Sequence, residues 1–354
     1  MGEVVAPFPW FGGKRRVAEI VWTALGVTDN YIEPFFGSGA VLLARPEWTF
    51  PHARAWAETV NDADSYLCNF WRAVTAAPET VAKWCDWPVN ETDAFARHLW
   101  LVNEGRERIA RLEADPDYYD AKVAGWWVWG INQWIGGGWC TGTGPWRIED
   151  GEVQQRPHLG NTGQGVNRQR PHLGSTGQGV NRKLPHLGNR GAHKPSREAH
   201  LDDLTAYFEA LAARLRKVRV CCGDWSRVVT DGAMTYGNAV GVFLDPPYQG
   251  DVRCKDLYRV DDHSISIAVR DWAIARGDDP RLRIVLAGYY EEHADAMPLT
   301  WRLHRYSASA SYQTAHADPS GNAANRHNEC LWFSPHCLTD RPVDIGLFAA
   351  AGEE

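Results

Sequence analysis

The stretch Asp245-Pro246-Pro247-Tyr248 follows the apolar run Val242-Phe243-Leu244. That run reads as a strand, and ligands in open α/β sheets bind at the carboxyl ends of strands. The edge presents a carboxylate, a stiff diproline with free carbonyls and an aromatic ring. Such a set suits a planar group carrying an exocyclic NH2. Asp245 accepts one N–H, the Pro246 carbonyl accepts the other, and Tyr248 stacks on the ring. The two acceptors turn the amine lone pair outward, towards an electrophile. The plain alternative is a strand followed by an ordinary proline turn.

Two further stretches suit a second ligand. In "EPFFGSGAVLL" (33–43), Gly37 and Gly39 permit close backbone approach at a strand-to-helix turn, although the third glycine of a dinucleotide fingerprint is missing. Asp62 closes the next strand about 25 residues on, where an acid can accept ribose hydroxyls; its structural alternative is an N-cap for the helix begun by "ADSYL". In "PFPWFGGK" (7–14), Trp10 and Lys14 flank two glycines. Trp10 suits the cover of a bound cofactor and Lys14 the partner of its carboxylate; otherwise they are a core tryptophan and a surface lysine.

The elements that must position these groups alternate. "GGKRRVAEIVWTAL" predicts a helix with Val17, Ile20 and Val21 on one face. "YIEPFFGSGAVLLA" predicts strand, turn and helix; "ARAWAETVND" a strand; "ADSYLCNFWRAV" a helix. Residues 78–122 read as helical and charged. Leu204, Phe208, Leu211 and Leu215 mark an amphipathic helix, and "VRVCCGDW", "AVGVFLDPPY" and "LRIVLAGYY" three more strands. "HRYSASASY" and "ECLWFSP" pair as a terminal hairpin, with an extended tail after Pro335. Strands and helices on both sides of an insert predict an α/β sheet interrupted by a second lobe.

The 354 residues are 44% hydrophobic, enough for a large core. There is no apolar run of about 18 residues and no apolar signal core at the N-terminus, so the expected location is the cytoplasm, with no membrane contact. The eight cysteines show no C-x-x-C pair and no zinc spacing, which fits a reducing compartment. The net charge of −7 is unevenly spread. Residues 153–197 hold eight Lys/Arg and no Asp/Glu, leaving the remainder at −15. An acidic body with one basic insert predicts a local anionic contact.

Taken in order, "PFPWFGGK", "EPFFGSGA" and "LDPPY" resemble the Dam-type DNA adenine-N6 methyltransferases, the alpha order of amino-methyltransferases. The resemblance covers residues 7–75 and 218–335. It implies a Rossmann-like class I methyltransferase sheet with helices on both faces, an inserted target-recognition lobe, and S-adenosylmethionine as cofactor. By resemblance, Trp10, Gly13, Lys14, Pro34, Phe35, Gly37, Gly39 and Asp62 bind the cofactor. Asp245, Pro246, Pro247 and Tyr248 form the catalytic pocket for a flipped adenine, with Asp245 near both ligands. "CGDW" resembles the strand end before that pocket and sets Asp224 against the cofactor's adenine; "NRHNECLWFSP" resembles the late strand motif loosely. The implied division is a first catalytic part (1–75), a recognition lobe (76–200), a second catalytic part (201–337) and a tail (338–354). The setting implied is bacterial or phage-encoded, with a restriction partner where there is one.

A base inside a duplex cannot reach such a pocket unless it is flipped out, at a cost of a few kcal/mol. No Pro-Cys dipeptide occurs, so the cysteine route to cytosine C5 has no candidate in its usual setting. Cytosine N4 remains an alternative acceptor, as does a glutamine or RNA amine. A methyltransferase fold that reads DNA without turnover is a further alternative, against which the intact Asp245, Tyr248 and glycines argue.

The insert holds the expected double-stranded DNA contacts. Residues 125–146 carry Trp126, Trp127, Trp129, Trp134, Trp139 and Trp146; the first three are read as core packing. Asn132, Gln133 and Trp134 precede a triple glycine, where a hairpin can enter DNA, and Asn and Gln can read adenine edges. Then "RPHLGNTGQGVNRQ" repeats almost unchanged, and a third copy decays. Arg156, Arg168, Arg170, Arg182 and Lys183 would follow a groove; the alternative is an expanded insertion contributing only charge. His158, His172 and His186 lack a close second ligand, so no metal is expected. "DIGLF" (Asp344–Phe348) resembles the pentapeptide by which bacterial proteins bind the sliding clamp, with Asp in place of the first Gln. The expected assembly is a monomer or weak dimer.

Overall fold

A computed structural model describes residues 4–8, 10, 14–51, 55–115, 117–134, 139–140, 146–149, 152–155, 197–247, 262–306 and 329–340. Gly13, Tyr248, the repeat with Arg156, Arg168, Arg170, Arg182 and Lys183, and the clamp-like Asp344–Phe348 lie outside them.

The strands are β1 (Asn30–Glu33), β2 (Ala57–Asp62), β3 (Trp146–Glu149), β4 (Glu152–Gln155), β5 (Val218–Cys222), β6 (Val240–Leu244), β7 (Leu282–Tyr289), β8 (Arg302–Arg305) and β9 (Glu329–Phe333). Seven form one sheet in the order β5-β2-β1-β6-β7-β9-β8, and β3 and β4 form a separate ribbon. From β5 to β7 all neighbours are parallel; β9 runs antiparallel to both β7 and β8. Of the predicted hairpin, His304 and Arg305 pair with Leu331 and Cys330, while residues 307–312 lie outside the described residues. This mixed α/β sheet is consistent with a methyltransferase fold.

The helices are α1 (Ala18–Leu25), α2 (Ala40–Leu43), α3 (Ser65–Ala76), α4 (Pro78–Cys85), α5 (Glu91–Trp100), α6 (Arg106–Ile109), α7 (Ala121–Ile131), α8 (Arg197–Leu215), α9 (Asp231–Met234), α10 (Asp262–Arg276) and α11 (Tyr290–His293). They cover both faces, because side chains alternate across the strands with period two. Tyr31, Phe243, Val285 and Leu331 join one cluster with α1, α3, α4, α7 and α8. Ile32, Val242, Leu244, Ile284 and Trp332 join another with Val269 and Ala273 of α10. The predicted stripe Leu204, Phe208, Leu211 and Leu215 is fully buried on α8. Trp127 and Trp129 of α7 are core residues and Trp126 packs against them, as read from the sequence.

Glu58 of β2 pairs with Arg45 at 3.0 Å and with Arg214 of α8 at 2.8 Å, and its own side chain is fully buried. Arg45 lies over the rings of Phe50 and Trp22. The group bolts α8, which follows the basic repeat in the sequence, to a strand that precedes it. Among the described residues no helix is long and apolar enough to cross a membrane.

Candidate active site

The sheet reverses its order between β1 and β6. The chain runs outward from β1 to β2 and later to β5 on one side, and from β6 to β7 on the other. A crevice opens at such a switch point, beyond the carboxyl ends of the two strands. Here those ends are Glu33-Pro34 and Leu244-Asp245. Lys14, from a 3-10 turn before α1, joins Asp245 Oδ1 at 3.0 Å, with the lysine buried and the aspartate one-fifth exposed. Lys14 and Asp245, both predicted from the sequence and more than 200 residues apart in the chain, thus meet at one edge. Pro246 and Pro247 follow, both buried.

The glycine turn is built around positive φ: 49° at Gly37 and 64° at Gly39. A Cβ on Gly37 would lie 2.6 Å from the indole nitrogen of Trp10, and one on Gly39 would lie 2.7 Å from the Phe36 ring. Both space and conformation therefore demand glycine. The Gly37 N–H donates to Asp62 Oδ2 (2.9 Å), the Asp64 N–H to Asp62 Oδ1 (2.9 Å), and the Phe36 N–H to the Asn61 carbonyl (2.9 Å). The Trp71 indole of α3 donates to the Gly37 carbonyl. Asp62 is not the N-cap of α3; Asp64 takes that place, accepting from Tyr66 and Leu67. Burial holds the Asp62 carboxyl up at about 7 against the pull of its N–H donors.

Asn61 went unremarked in the sequence. Its amide donates to the Pro34 carbonyl (3.1 Å) and the Gly223 carbonyl (2.9 Å), tying together the ends of β1, β2 and β5. The one clue was its place beside Asp62 in a polar pair ending an apolar strand. Glu33 is another addition. It is buried at the end of β1, accepts a hydrogen bond from the Tyr31 hydroxyl (2.8 Å), and its carboxyl is pushed well above the ordinary range, first by burial and also by the nearby Asp245 charge. Trp225 is a third. Its ring faces Phe35 with centroids 6.3 Å apart and planes 28° from parallel. Asp224, exposed at the same edge, accepts from the Ser226 N–H at 2.9 Å.

The expected DNA contacts of the tryptophan-rich stretch are placed differently. α7 runs on to Ile131, so Asn132 and Gln133 close a helix, and both are buried; the triple glycine of the expected hairpin lies outside the described residues. Asn132 donates to the Val128 and Pro7 carbonyls and Gln133 to the Trp129 carbonyl, which leaves their amides facing protein. Trp134 stacks on His98 (4.7 Å, 16°), and burial brings that imidazole down to about 4. Asn132 and Gln133, buried in these positions, do not present an edge to a base. The hairpin among the described residues lies downstream, where β3 pairs with β4 just ahead of the basic repeat.

No curated protein matches the chain. Residues 10–99, which run from Trp10 through the glycine turn and Asp62 to α5, match the family model of the D12 class N6 adenine-specific DNA methyltransferases. The matched segment is about a quarter of the chain and carries the Trp10–Gly37–Asp62 constellation.

Proposed function

We propose that the protein transfers a methyl group from S-adenosylmethionine to N6 of an adenine flipped out of duplex DNA, in the crevice beyond β1 and β6. The carrying observation is the Lys14–Asp245 pair, which brings the glycine-turn side and the Asp-Pro-Pro side to one point. The residues present fit the cofactor. The turn at Gly37 and Gly39 has no room for a Cβ, Phe35 and Trp225 flank an edge suited to a flat ring, and Asp224 offers an acceptor to an adenine amine there. Asp62, when ionised, accepts from ribose hydroxyls.

When bound, the cofactor supplies a methyl group on an electron-poor sulfonium. The protein's part is to aim the amine. Asp245 and the Pro246 carbonyl accept its two N–H bonds, so the nitrogen lone pair faces the methyl carbon. The nitrogen would form the new N–C bond as the methyl–sulfur bond breaks and its electron pair stays on sulfur as a neutral thioether; the nitrogen would then release a proton, for which the Asp245 carboxylate is the adjacent acceptor. Lys14 offsets the charge of that carboxylate, and Tyr248 stacks on the base.

The division into two catalytic parts around a recognition lobe at 76–200 belongs to this proposal, as do phosphate contacts by Arg156, Arg168, Arg170, Arg182 and Lys183. The test is to digest DNA after incubation with protein and cofactor and to quantify methylated nucleosides. N6-methyladenine is expected with wild type and none with Asp245→Ala, while DNA affinity stays within about twofold because phosphate contacts carry most of it. N4-methylcytosine in place of N6-methyladenine, or full turnover by Asp245→Ala, overturns the assignment.

A further inference from the structure

The segment Pro7-Phe8-Pro9-Trp10 cannot be held as an ordinary strand, since two of its four residues lack an N–H. Helix α7 holds it by side chains. The amide nitrogen of Asn132, at the end of α7, donates one bond within the helix to the Val128 carbonyl (2.7 Å). It donates a second, 125 positions back in the chain, to the Pro7 carbonyl (3.0 Å). Phe8 packs edge-on against Trp127 of the same helix (5.1 Å, 75°) and against Phe70 of α3 (5.3 Å, 87°). Trp10, three residues beyond Pro7, lies 6.2 Å from Trp127 and covers Gly37. Gln133, next to Asn132, bonds only within its own helix among the described residues.

We propose that Asn132 is a positioning residue for the cofactor end of the site: from the end of α7, it fixes Pro7 and Phe8 so that Trp10 lies over Gly37. This rests on reading Trp10, Gly37 and Asp62 as the cofactor cradle. The same residue types that suit base reading here act through the backbone of a remote segment. A buried carbonyl deprived of its donor drives the segment to rearrange, and Trp10 moves with it.

Two variants separate the roles. Asn132→Ala removes both bonds. Asn132→Ser keeps the one within the helix, as serine hydroxyls bond the carbonyl four residues back, but is too short to reach Pro7. Calorimetry with S-adenosylmethionine and no DNA, anisotropy with duplex DNA, and steady-state rates are measured for both and for wild type. Both variants should raise the cofactor Kd and KM about tenfold, the scale of one hydrogen bond to a buried carbonyl. DNA affinity and kcat at saturating cofactor should stay within about twofold, and the melting temperature of Asn132→Ser close to wild type. Unchanged cofactor affinity in Asn132→Ser overturns the proposal. So does weakened DNA binding with cofactor binding intact, the signature of base reading, or a parallel fall of every parameter with the melting temperature. Wild type that binds no cofactor is a separate result and sinks the cradle reading itself.

Discussion

Asp62 should make cofactor binding depend on pH near neutrality. Its carboxyl sits at about 7 because burial opposes the charge, although the Gly37 and Asp64 N–H groups favour it. Only the ionised form can accept hydrogen bonds on both oxygens from N–H donors and ribose hydroxyls together. In the free protein the competent fraction is then about one-tenth at pH 6 and about nine-tenths at pH 8, so the cofactor Kd should fall about tenfold across that interval and flatten above it. Stability runs the other way. Between the ordinary 3.8 and about 7 the folded protein keeps a proton that the unfolded chain has lost. Rising pH therefore destabilises the fold through that window, by about 4 kcal/mol in full, and no further above it. Calorimetry at pH 6, 7 and 8, in buffers of different ionisation enthalpy, gives both the Kd and the protons released, with about one released per cofactor at pH 6 and about none at pH 8. Asp62→Asn should bind weakly at all three, with the slope gone. A wild-type Kd equal at pH 6 and 8, or a slope that survives in Asp62→Asn, refutes the reasoning.

Gly37→Ala should weaken cofactor binding by about tenfold or more without touching DNA affinity: the αL backbone strains any Cβ by about 1–2 kcal/mol, and that Cβ would lie against Trp10. Cofactor calorimetry and DNA anisotropy read the two effects. Glu58→Ala should lower unfolding free energy in urea by about 3–5 kcal/mol, because Arg45 and Arg214 are left with no carboxylate in a buried place. Deleting residues 156–182 should flatten the log–log salt dependence of DNA binding by about 0.9 for each phosphate no longer neutralised, and broaden the set of methylated sequences where base readout goes with it. A salt titration and sequencing of modified bases measure these, and an unchanged slope with an unchanged site assigns the segment to inert insertion.

The strand end at Asp245 and the glycine turn were legible because their signals are local. An apolar strand must end somewhere, and Asp245-Pro246-Pro247 marks where; Gly37 and Gly39 mark a turn that only glycine can make. The α/β alternation was legible for the same reason, down to the buried stripe of α8. What escaped was long-range. Asn61 ties three strand ends, and nothing in "VND" says which strands will be neighbours. Trp225 meets Phe35 only because β5 lies two places from β1. Asn132 and Gln133 read as surface groups because polar side chains before glycines usually are; their burial follows from Pro7 arriving at the end of α7 and from a helix that runs to Ile131. At Asp62 the capping role fell to Asp64, two residues on, a distinction of register that the sequence leaves open.

The order of the sheet has a consequence for how the chain can be divided. β1 and β2, made before the repeat, lie side by side, and each is flanked by a strand made after it: β5 beyond β2, and β6 beyond β1. The first 155 residues alone would therefore present two open strand edges, together with a Glu58 that lacks one of its two arginines. Neither piece closes a sheet by itself, and the break between them falls between β4 and α8. A chain severed between Gln155 and Arg197 would yield two pieces that share one sheet. Its halves are interleaved by strand pairing and not merely docked, so each is the template on which the other completes its fold.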